Sequence, residues 1–66
     1  MSEEEQIRQK LEELKSEHRD LDDVIELIRV TEPFDQLRVQ RLKKRKLLVR
    51  DMIVYYESLL VPDIIA

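Results

Sequence analysis

The chemically capable residues of this chain are one histidine and one dense basic run. His18 stands four residues before Asp22, a spacing that puts imidazole and carboxylate on neighbouring turns of one helix face. Such a pair could supply two ligands to a metal, or a carboxylate could orient the imidazole as a base. Two ligands are half a zinc shell, so a metal site would have to be completed across an oligomer. A catalytic base also needs a nucleophile and a cleft, and the glycine-free sequence offers no phosphate-cradling loop. Metal-assisted catalysis therefore ranks last. The residues read as a non-enzymatic chain with no catalytic, cofactor or metal site.

The run RLKKRKLLVR, residues 41–50, holds six of the twelve lysines and arginines. Cations packed this closely on a helix could grip phosphates in a salt-dependent way. Arg41, Lys43, Lys44, Arg45 and Arg50 would carry that role in a small nucleic-acid-binding protein, the alternative reading of function. The chain as a whole has a net charge of −3, and no base-stacking aromatic lies within the run. A run of charge is more often a solvated face, and the balance weighs against nucleic acid.

Composition limits the elements that could position these groups. Sixty-six residues allow one domain, and a chain this short buries only about 60% of the surface its unfolded form exposes. Without cysteine, disulfides cannot staple it, and self-association becomes the expected source of extra stability. Charged residues at 41% and aromatics at 5% mark long helices or coiled coil. The uncharged stretch SLLVP falls far short of the ~20 apolar residues that span a bilayer. The start MSEEEQ is acidic where a signal peptide is basic. The expectation is a cytoplasmic protein away from membranes.

Apolar positions in the first half run Ile7, Leu11, Leu14, His18, Leu21, Ile25 and Ile28, with His18 as the polar exception. Alternating gaps of four and three are the period of a coiled-coil seam. Ser2 and the glutamates after it suit a helix start. Pro33 interrupts the pattern, and Asp35 is a candidate N-cap for a second helix. The second series is Val39, Leu42, Lys46, Val49, Ile53, Tyr56 and Leu60. Facing residues of an antiparallel pair have numbers with a constant sum, and the seven layers from Ile28 with Val39 to Ile7 with Leu60 all give 67. The midpoint falls between Pro33 and Phe34. The fold class is thus all-α, an antiparallel two-helix hairpin of coiled-coil type. A single domain, 1–66, is expected, with helix 1 about 3–30, a turn about 31–35, helix 2 about 36–61 and a short apolar tail, 62–66. One uninterrupted coiled coil is the alternative that the proline opposes.

Helix 2 carries apolar residues that this seam does not use. Leu48, Met52, Tyr55 and Leu59 recur on an adjacent face, and the tail adds Ile64 and Ile65. A stripe of this length marks an interface. These six residues are the expected contact of a homo-oligomer, a dimer or tetramer, with a four-helix bundle or higher oligomer as the assembly. Charge divides by helix: residues 3–29 hold ten acids and five bases, and residues 35–60 hold three acids and seven bases. The register sets Lys43 near Asp22 and Arg45 near Val24. His18 and Lys46 occupy adjacent central layers, where polar residues fix register, and Asp22 is within reach of the imidazole.

EHRDLDDVI (17–25), the proline turn and LKKRKLLVRDMI (42–53) resemble the YdcH-like family of small bacterial proteins of unknown function. Glu17, His18, Leu21, Asp22, Leu42, Lys43, Lys44, Lys46, Leu47 and Asp51 fill positions of its pattern, while Val49 and Arg50 replace Leu and Lys. The resemblance implies a cytoplasmic helical hairpin that oligomerises, and it brings no activity, substrate or cofactor. Lys43, Lys44 and Asp51 form a candidate surface for an unidentified protein partner. Lys44 and Asp51 in particular share an outward face where packing within the chain gives them no task.

Overall fold

A computed structural model describes residues 2–60 and shows two antiparallel helices, α1 (Glu3–Thr31) and α2 (Gln36–Leu60). α1 begins at Ser2, whose hydroxyl accepts the Glu5 amide at 3.1 Å. Glu3, Glu4 and Glu5 then face the positive end of the helix dipole. At its other end the Glu32 amide donates to the Ile28 carbonyl at 2.7 Å, and Thr31 donates to the Leu27 carbonyl at 2.8 Å.

Pro33 stops the helix, and Asp35 starts the next. The Asp35 carboxylate accepts the Arg38 amide at 3.2 Å, while the Asp35 amide donates to the Glu32 carbonyl at 3.0 Å. Arg38 then reaches back to the Glu32 carboxylate at 3.3 Å. A sequence without glycine can make this reversal because no described residue takes a positive φ.

The core lies between the helices and is thin. Leu11, Leu14, Ile25, Ile28 and Val49 are its fully buried members, and no described polar side chain joins them. Ile7, His18, Leu21, Val39, Leu42, Lys46, Ile53, Tyr56 and Leu60 are half-buried along the same line. Full burial of an aliphatic side chain stabilises by about 1.5–3 kcal/mol, so five such residues leave two helices with little to spare against chain entropy. Ile64, Ile65 and the 62–66 tail lie outside the described residues.

Candidate functional site

His18, Asp22 and Lys46 meet at the middle of the hairpin. Lys46 is half-buried, with its side chain 33% exposed, and its ammonium bridges to the Asp22 carboxylate on α1. This hydrogen bond holds the Asp22 carboxyl below its ordinary value, against an opposing loss of solvation. The charges of Lys46 and His18 push the same way as the hydrogen bond. Lys46 thus buries its stem in the seam and carries its charge to the rim. Among the described residues no group of three or more His, Cys, Asp or Glu side chains could hold a metal ion.

Two cations of the basic run find carboxylates on α1. In the register that sums to 67, Lys46 stands one residue from the level of Asp22 and Lys43 two, and it is Lys46 that forms the ion pair. Arg45 pairs with Glu17 at 2.8 Å. In the same register Glu17 lies several residues from the level of Arg45, so the long guanidinium leans along the axis to reach it. Lys15 leans the opposite way to Glu57 at 3.7 Å on the other flank. Both ion pairs are solvated, and exposed pairs of this kind contribute about 0–1 kcal/mol. They clip the two edges of the seam, and the charge divided between the helices meets across it.

Leu48, Tyr55 and Leu59 are 51%, 59% and 49% exposed, with half-buried Met52 between them. Tyr55 packs edge-on against Tyr56 at a centroid distance of 5.3 Å. By helical repeat, Val24 of α1 stands on the Met52 and Leu59 flank, with Leu27 one turn beyond it, and both are exposed. Lys44 and Asp51 lie on the outer face of α2, lining a shallow surface with Arg41, Arg45, Leu47 and Leu48. Lys43 opens elsewhere, into a recess lined with His18, Lys46, Leu47 and Arg50.

Two features escaped the sequence reading. One is that recess, which joins residues from both helices and becomes visible once Lys46 is seen to cross to Asp22. The other is an apolar tip, where Val30, Phe34 and Leu37 are 74%, 83% and 61% exposed around the turn. A phenylalanine directly after the turn proline was its signal. No helix among the described residues is long and apolar enough to cross a membrane.

Residues 11–57 match a family model described as "Protein of unknown function (DUF465)". This is the family of small helical proteins to which EHRDLDDVI and LKKRKLLVRDMI pointed. No curated protein and no solved structure matches the chain.

Proposed function

For a chain that belongs to the DUF465 family of proteins of unknown function, we propose a non-enzymatic role as a self-associating helical hairpin. The observation that carries it is the apolar stripe on α2. Leu48, Tyr55 and Leu59 are each about half exposed, and with Met52 they repeat at helical spacing along one flank. An apolar row of that length in water favours a partner helix. The occupant is a second copy, because the hairpin's own core is five residues deep and a shared core is the available remedy. Two hairpins pairing along α2 make a four-helix bundle about a two-fold axis.

The cations of residues 41–50 fit this reading better than a nucleic-acid grip. Arg45 and Lys46 are already paired with Glu17 and Asp22 of the same chain. The outer surface around Lys44 and Asp51 stays open in such a bundle and is the place for a protein partner of mixed charge. Cytoplasmic residence would suit that task.

Sedimentation velocity on the full chain at low micromolar concentration tests the assembly. The expected mass is a multiple of 8.0 kDa, returning to the monomer value in Met52→Glu and Tyr55→Glu with helix content kept. A wild-type monomer under those conditions would overturn the reading. So would an oligomer indifferent to both substitutions.

A further inference from the structure

The flank of the hairpin opposite the apolar stripe carries a recess of different character. His18 of α1 and Lys43, Lys46, Leu47 and Arg50 of α2 line a depression of about 350 Å³, with no acidic side chain in its wall. This volume is at the small end of ligand sites. Lys43 and Arg50 lie two turns apart on one helix edge, about 10 Å along the axis, and their long side chains can converge above Leu47. Neither is paired with a carboxylate among the described residues, while the Lys46 charge is largely answered by Asp22. The wall therefore holds two uncompensated cations. The imidazole of His18 adds an N–H donor in either neutral tautomer.

We propose that the His18, Lys43, Lys46 and Arg50 recess binds the phosphate group of a small ligand. A phosphate monoester carries about two negative charges near neutral pH and presents three strong acceptor oxygens, which matches two free cations and the additional donors. The guanidinium fork of Arg50 grips two oxygens at once, and Lys43 answers the remaining charge as a point. Leu47, 55% exposed, gives the organic part of the ligand an apolar ledge. The site needs both helices, so only the folded hairpin forms it. It stands apart from the stripe of Leu48, Met52, Tyr55 and Leu59 and holds whether or not the chain associates.

Titration of the isotopically labelled full chain with inorganic phosphate, at constant ionic strength against chloride, tests the site by amide chemical shifts. Saturable shifts centred on His18, Lys43, Leu47 and Arg50 are expected. The double variant Lys43→Ala/Arg50→Ala should weaken binding by at least tenfold, and Arg50→Lys by less. The control Arg41→Ala/Lys44→Ala, on the neighbouring outer face, should leave affinity unchanged. Circular dichroism of each variant checks that these exposed truncations keep the helices; an unfolded double variant is replaced by Lys43→Gln/Arg50→Gln, read the same way. Linear, non-saturating shifts would overturn the proposal, as would equal weakening by the control variant. A single-stranded oligonucleotide that binds more tightly, and whose shifts spread over Arg41, Lys44 and Arg45, would replace the recess with an extended basic surface and equally overturn it.

Discussion

The two helices are similar in length and contribute equally spaced residues to one seam, yet they use their apolar side chains differently. α1 supplies Leu11, Leu14, Ile25 and Ile28, four of the five fully buried residues. Its outer surface is largely acidic, with Val24, Leu27 and Val30 as exposed exceptions in its second half. α2 supplies only Val49 to the full core and leaves Leu37, Leu47, Leu48, Val54, Tyr55 and Leu59 about half exposed or more. A helix with one apolar stripe and a polar back has one partner. A helix with apolar residues on several sides has room for another, and this asymmetry is what favours α2 in the proposed association.

Truncation on each helix gives the sharpest test of that contrast, and the largest effects. Leu14→Ala removes a side chain that is 3% exposed and should cost about 2–5 kcal/mol through lost transfer energy and a cavity. Thermal unfolding should show a lower midpoint at every protein concentration, or no folded state at all. Leu48→Ala, at a half-exposed position, should lower the midpoint in a concentration-dependent way, because in the proposed assembly the contact it removes is between chains. If Leu48→Ala acts equally at all dilutions, the division of labour between α1 and α2 is mistaken.

The helix starts offer a second, smaller comparison. Ser2 caps α1 beside three glutamates, whereas α2 has Asp35 alone and no acid in its first turn. Asp35→Ala should therefore cost about 1 kcal/mol and more than Ser2→Ala, since its carboxylate is the cap that holds the start of α2 directly behind the reversal. Chemical denaturation of the two variants measures the difference; equal midpoints would show that the turn is held by Pro33 and the Arg38–Glu32 pair instead.

How much of this was legible beforehand depends on the range of the interaction. Caps and turn were readable from Ser2, Pro33 and Asp35, because these act on atoms within four residues. The hairpin was readable because two 3.5-residue rulers, one per helix, agree on a single register about the proline. Ion-pair partners were not readable. Long side chains such as those of Arg45 and Lys46 sweep more than one position of an acidic facing helix, so a layer number sets the neighbourhood without choosing the acceptor. The recess was hidden for a related reason. It joins His18 of α1 to Lys43 and Arg50 of α2, which have no carboxylate partner among the described residues, and no spacing rule in one helix encodes that. The apolar tip at Phe34 was hidden because a hydrophobic residue in a turn has no period to betray whether it folds inward.

Among the pairs that clip the seam, Glu17→Gln should cost at most about 1 kcal/mol, because both it and Arg45 are more than a third exposed. The loss should shrink with added salt. A double-mutant cycle with Arg45→Met measures the coupling, and a coupling unaffected by salt would show that the two side chains act through packing.

The smallest expected effect belongs to Asp22, and it is best read through pH. The hydrogen bond from Lys46 lowers the Asp22 carboxyl below its ordinary value of 3.8 in the folded chain. Between the folded value and the unfolded one, the unfolded chain binds more protons, so stability rises with pH across that interval. The contribution is complete above about pH 5 and disappears as pH falls through the folded value. Other carboxylates titrate in the same range, so the informative quantity is the difference between wild type and Asp22→Asn. That difference should be constant from neutral pH to about pH 5, then close to zero at the acid end. A difference that persisted in strong acid would mean that Asp22 matters for its shape or its neutral hydrogen bonds, and that Lys46 needs no anion on α1 to hold its place in the seam.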